Sequence, residues 1–319
     1  MASVVRSGSR VSVPADVGEP GRGMALMAFA MLLVPGMDAI AKVLAADLSP
    51  FQVTFFRFFV QTVILAAVLA LLSRRRPVLV PRAAVPKLAL AGAFMGLAVG
   101  FLFWSLAYLP LANAVAIFFV EPLVLTVFSA LFLRETVGWH RLSAVAVGLA
   151  GALIVIRPNW ELFGWVAVLP LLAAVFYAAQ MTVIRSIAVG LDGLRVQAYG
   201  GGFAALFLGV ALLLGHGADL PMFAWVAPPP AVWGLILGLG LLSVVSHLMI
   251  TTAFGMTQAS ILAPFQYLEI IAATALGYVI FGEFPDALTW LGTAIILGAG
   301  IYVFHRERRQ ARRARMMRA

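Results

Sequence analysis

Six ionisable side chains, Asp38, Lys42, Arg57, Glu121, His247 and Glu269, interrupt runs of the chain that are otherwise apolar. A charge at the centre of a lone membrane helix costs about 2.5–3.5 kcal/mol on insertion scales. Such residues normally face a bundle interior or a water-filled path, and they mark function. Glu121 stands ten residues into the apolar run 111–133, and Glu269 eleven into 258–281. Each is therefore about 15 Å deep, near the middle of a bilayer. A carboxyl group at that depth could carry a proton. It could equally cap broken helix backbone, since Pro122 beside Glu121 has no N–H to donate. Asp38 and Lys42 are four apart, on one helix face with the acid first, the favoured order for an ion pair. That pair could line a cavity, bridge helices or sit at the membrane boundary, and Lys42 could snorkel outward.

Weaker stripes accompany these groups. Tyr177 and Gln180 share a helix face, as do Gln258 and Glu269, with Gln266 nearby. Ser243, His247 and Thr251 recur every fourth residue, and His247 adds a group able to exchange protons. Phe94, Phe101, Trp104 and Tyr108 form an aromatic stripe. For all of these, packing competes with substrate contact. Gly92, Gly96 and Gly100, also four apart, point to close helix packing.

The elements that must position these residues follow from composition. Of 319 residues, 63% are hydrophobic and only 11% charged, with a mean hydropathy of +1.03. Soluble domains carry about 25% charged residues. One core cannot absorb that excess, so most of the chain must face lipid or other embedded helices. Ten apolar segments are long enough to span: 24–46, 50–73, 85–108, 111–133, 139–156, 162–184, 195–214, 232–254, 258–281 and 287–304. They are too long and too continuous for the alternating strands of an outer-membrane barrel. Residues 1–22 read as a disordered tail and 305–319 as a basic one.

Absent residue types exclude several functions. The chain has no cysteine, which removes disulfides, thiolate metal sites and cysteine nucleophiles. Of four histidines only His247 lies inside an apolar run, so neither a metal nor a cofactor is expected. No Gly-rich loop ending in Lys-Ser/Thr occurs, so ATP coupling has no support. The net charge of +9 is concentrated beside spans. There, arginine sets orientation and meets anionic headgroups, a better account than nucleic acid. With the N-terminus placed inside, 19 of the 22 Lys and Arg fall in inner segments, Arg157 alone in an outer loop, and Lys42 and Arg57 within spans. Both termini are then cytoplasmic.

A repeat lies beneath the ten spans. "FFVEPLVLTVFSALFLRETV" (118–137) corresponds to "FQYLEIIAATALGYVIFGEFP" (265–285), with Glu121 and Glu269 148 positions apart, as are Glu135 and Glu283. "AKVLAADLSPFQ" (41–52) similarly resembles "IRSIAVGLDGLRVQ" (184–197). Five spans per copy is an odd number, so the second copy must lie upside down relative to the first. Inverted repeats of this kind are found in secondary transporters, where two halves meet around a midplane site.

These residues resemble the drug/metabolite transporter superfamily and, within it, the EamA-type transporters. The resemblance rests on "FFRF" early in the second span and on "EPLVLTVFSALFLRE" with its counterpart "LEIIAATALGYVIFGE". The glycine-bearing last spans, "AVGLAGALIVI" and "LGTAIILGAGIYV", add to it. It implies an all-α integral membrane protein of ten transmembrane helices in two inverted five-helix repeats, 24–156 and 162–304. It also implies a central cavity lined mainly by spans 1, 3, 4, 6, 8 and 9, with a structural role for Arg57. Ile270 stands where a Pro often follows the second glutamate, and Arg134 where Gly is usual.

The expected protein is thus no enzyme but a secondary active transporter of a small metabolite in the inner membrane. Its expected cavity residues are Asp38, Lys42, Trp104, Glu121, Tyr177, Gln180, His247, Gln266 and Glu269, with Arg57, Glu135 and Glu283 as structural polar groups. Both signs of charge favour an amino acid or related zwitterion. The aromatic stripe leaves room for a flat heteroaromatic metabolite such as riboflavin or S-adenosylmethionine. Protons through Glu121, or downhill exchange, could drive it; anionic lipids are expected at the basic tail, nucleic acid is not, and a homodimer is left open. A channel would not need charges at matched depths in both halves, and an embedded enzyme would need a catalytic cluster that does not appear.

Overall fold

Apolar runs near 20 residues can satisfy their backbone in lipid only as helices, and helices are what form. The computed structural model describes residues 20–73, 80–132, 139–187, 193–257 and 259–316. The first half comprises α1 (Pro20–Leu44), α2 (Pro50–Ser73), α3 (Val85–Leu106), α4 (Leu111–Phe118), α5 (Glu121–Phe132) and α6 (Trp139–Phe163). The second comprises α7 (Leu169–Arg185), α8 (Gly193–Gly217), α9 (Trp233–Met256), α10 (Ala259–Gln266), α11 (Leu268–Phe281) and α12 (Ala287–Met316). Among the described residues, eight stretches are long and apolar enough to cross a membrane, and Leu142–Ile156 and Ala287–Tyr302 are shorter apolar helices. These account for ten spans. Pro20 opens α1, so three residues expected in the tail form a first turn instead. A proline is tolerated there because its missing N–H would have no partner anyway.

Twelve helices make ten spans because the fourth and ninth are broken, which the apolar pattern alone does not show. In the fourth, Val120 N donates to Ile117 O (3.1 Å), and in the ninth Tyr267 N donates to Pro264 O (3.4 Å), a tighter three-residue turn in each. Pro122 just past the first break has no N–H, and Pro264 lies just before the second. The half-helices α4 and α10 match end for end at an offset of 148 residues. The sequence repeat therefore extends to the break itself.

Packing follows the same symmetry. α1 lies against α9 and α11, and α7, its counterpart, against α3 and α5. Of the other principal pairs, α2 with α8 and α6 with α12 each join a helix to its own counterpart, while α3 with α8 and α2 with α9 are counterparts of one another. Lipid gives no hydrophobic drive between helices, so close contact needs small residues. A Cβ on Gly92 would stand 2.6 Å from the Gly200 carbonyl oxygen, where α3 crosses α8. Where α6 crosses α12, a Cβ on Gly292 would stand 2.6 Å from the Gly151 carbonyl oxygen. Polar groups join helices too. Gln61 on α2 donates to Gln197 Oε1 on α8 (3.2 Å) and accepts from Ser243 Oγ on α9 (2.8 Å). Leu131, Leu153, Leu213 and Val279 point outward, as lipid requires.

Candidate functional site

A cavity of about 490 Å³ lies between the two halves. Residues at helical spacing build its walls: Met27, Met31, Val34 and Asp38 on α1, Met95, Ala98, Val99 and Leu102 on α3, and Tyr177, Met181 and Arg185 on α7. His247, Ile250 and Phe254 do the same on α9. Within each set the residues recur at the three- and four-residue spacings of a helix, so one face of each helix lines the space. A larger groove, about 800 Å³, runs between α2 and α8 but is lined by Phe55, Phe59, Val63, Leu206 and similar side chains without a carboxylate or an arginine. Its exposed apolar walls suit lipid rather than a polar substrate.

Six of the nine expected cavity residues meet in the smaller cavity: Asp38, Glu121, Tyr177, His247, Gln266 and Glu269. The helix breaks explain how the two glutamates reach it. Glu121 is the first residue of α5 and Glu269 the second of α11, so each carboxyl group sits at the N-terminal end of a half-helix, where the helix dipole favours negative charge. Tyr177 is set by an edge-on contact with Phe118 at 5.5 Å. His247 Nδ1 lies 2.9 Å from the Ser243 carbonyl, so that nitrogen carries the proton and Nε2 is an acceptor in the neutral ring.

Three expected residues lie elsewhere. Lys42 is paired not with Asp38 but with Glu283: Nζ is 2.6 Å from Oε1 and donates also to Leu109 O at 2.7 Å. The second Glu283 oxygen accepts from Leu111 N at 3.1 Å. Trp104 packs on Trp165 (5.2 Å), with Phe51 and Phe101 beside it. It lies two residues past Leu102, about 200° round the helix from the cavity face. Gln180 is outside the lining, and its Oε1 is buried without a hydrogen-bond partner among the described residues. Glu135 and Gln258 lie outside the described residues.

Three groups were not expected in the cavity. Arg57 reaches it from α2, a helix outside the expected lining. Arg185 lines it while donating to Ser129 Oγ at 3.1 Å, and Met27, Met31, Met37, Met95 and Met181 supply much of the wall. Met27 and Met31 share a helix face with Asp38, and Met181 and Arg185 with Tyr177, a signal that was available. The lining extends to Phe254, near the end of α9, and Arg185, at the end of α7, while the Lys42–Glu283 pair lies beyond Asp38 in the opposite direction.

Comparison with known proteins agrees with this architecture. A model of the EamA-like transporter family matches twice, over residues 21–157 and 164–304. The pseudopaline exporter of Pseudomonas aeruginosa is 30% identical over 88% of this chain and 94% of its own. A riboflavin transporter of Rhizobium johnstonii is 30% identical over 66% of this chain and 67% of its own. An S-adenosylmethionine uptake transporter of Rickettsia bellii is 26% identical over 85% and 89%. A solved crystal structure shares the fold, with a TM-score of 0.57 at 21% identity, covering 91% of this chain and 99% of that one. The chain belongs to the EamA-like transporter family of the drug/metabolite transporter superfamily, and is a multi-pass membrane transporter of small metabolites rather than an enzyme.

Proposed function

We propose that the protein is a secondary transporter of the inner (plasma) membrane, with both termini cytoplasmic, that carries a small zwitterion such as an amino acid or its derivative. The observation that carries this reading is the convergence of Asp38, Glu121 and Glu269 with Arg57 in one cavity between the halves. A dipolar solute can satisfy both signs, whereas a neutral or purely anionic one would leave carboxyl groups unmatched. The cavity lining extends toward the helix ends on the arginine-rich side, and Lys42–Glu283 ties the helices together on the other. That arrangement corresponds to an inward-facing state of an alternating-access cycle. Glu121 and Glu269, at equivalent places in the two halves, are the candidate proton carriers.

A second reading, a flat heteroaromatic metabolite, draws on Tyr177, Phe118, Phe119 and Phe254 in the lining and on the relatives named as riboflavin and S-adenosylmethionine transporters. One measurement separates the two. Purified protein is screened for thermal stabilisation by amino acids, S-adenosylmethionine and riboflavin, and hits are followed as flux into liposomes. Saturable flux of amino acids is the expected result; flux of riboflavin or S-adenosylmethionine without amino acids would replace the first reading with the second, and flux of none would overturn both.

A further inference from the structure

Arg57 is the eighth residue of α2 and is 1% exposed, yet it is not held as a structural arginine usually is. A guanidinium has five donors and is normally saturated by carbonyl or carboxylate oxygens. Here Nε donates to the Met37 sulfur at 3.2 Å, and the group lies over Phe58 at 4.6 Å, with Phe103 at 6.0 Å. Thioether sulfur and ring faces are weak partners that orient a cation without cancelling its charge. Among the described residues, Nη1 has no hydrogen-bond partner at all. Asp38 lines the same cavity at 2% exposure, but the one ion pair among the described residues is Lys42–Glu283. A buried, oriented and incompletely satisfied arginine beside a cavity is costly unless something anionic completes it.

We infer that Arg57 is the receptor for a carboxylate of the transported substrate, with Asp38 taking the cationic nitrogen of the same molecule. This rests on reading the cavity as the substrate chamber. The planar fork suits a carboxylate, which it can hold through two parallel hydrogen bonds. A monoanionic group suits the site better than a dianionic phosphate, because Glu121 and Glu269 share the chamber. Substrate therefore bridges Arg57 and Asp38, which form no salt bridge with each other. This gives the cavity its selectivity for molecules carrying both charges.

The test pairs acids with amides. Amino acids and S-adenosylmethionine, each beside its own carboxamide, are titrated against the purified wild type, Arg57→Lys, Arg57→Gln and the double variant Arg57→Gln/Asp38→Asn. Removing both charges keeps the double variant from failing merely because Asp38 is left alone. The wild type should bind acids about tenfold or more tighter than amides, the worth of one charge-assisted hydrogen bond. Arg57→Gln and the double variant should lose that preference, and Arg57→Lys should recover part of it. Equal binding of acid and amide by the wild type, or an acid preference surviving in the double variant, would overturn the assignment while leaving the transporter reading intact. If no acid and no amide binds the wild type, the zwitterion reading falls, and this assignment with it.

Discussion

Lys42 on α1 and Glu283, 241 positions later between α11 and α12, join at 2.6 Å and so bind the first half of the molecule to the second. The pair reaches further through Leu109 O and Leu111 N at the start of α4. One charge pair therefore holds three parts of the same end of the bundle. For a binding chamber to open at that end, these bonds must break.

Lys42→Gln or Glu283→Gln should therefore favour the state open on that side. Losing a charge-assisted hydrogen bond, about 1.5–3 kcal/mol, is enough to raise opening about tenfold or more. The chain has no cysteine, so a single reporter at Leu102 in the cavity wall reads accessibility without background. An impermeant maleimide added from the side of Lys42 should label Leu102→Cys faster once either partner is changed. Unaltered labelling would show that the pair does not hold that end closed.

Glu121 and Glu269 occupy equivalent half-helix starts, and the proposed proton coupling resides there. Glu121→Gln should abolish accumulation driven by a pH gradient between about pH 5 and 8 while downhill exchange persists. Liposomes with imposed gradients measure both, and accumulation equal to wild type would remove Glu121 from the proton path.

The α6–α12 crossing depends on two glycines face to face. Gly292→Ala puts a Cβ 2.6 Å from the Gly151 carbonyl oxygen and 2.5 Å from a Val155 methyl, and should cost about 1–3 kcal/mol. Gly298→Ala, on the same helix with nothing within 4 Å, should be neutral or slightly stabilising. Thermal unfolding in detergent compares them, and equal midpoints would refute a tight crossing.

Trp104 belongs to the packing between α3, Phe51 of α2 and Trp165 in the turn before α7, not to the cavity wall. Trp104→Ala should destabilise the fold by about 2–4 kcal/mol, with substrate affinity held within a few-fold. A large loss of affinity at unchanged stability would return Trp104 to the substrate path.

The sequence by itself determined the properties that belong to contiguous segments. Hydropathy summed over 20 residues decides that a run enters lipid, and the 148-residue offset between Glu121 and Glu269, with five spans in each copy, already implied two inverted halves. Spacing also placed Asp38, Glu121, Tyr177, His247, Gln266 and Glu269 on faces that do converge. Partner choice across helices was decided only by tertiary structure. Lys42 is four residues from Asp38, yet helix rotation and the approach of the α11–α12 connection give it to Glu283. Arg57 carries the same letters in any fold; its surroundings of sulfur and ring faces come from Met37 on α1, Phe58 on α2 and Phe103 on α3. The physical reason is range. Solvation and helical periodicity act within a segment, whereas a charge buried in lipid takes its meaning from whichever side chains the packing of other segments brings within a few ångströms.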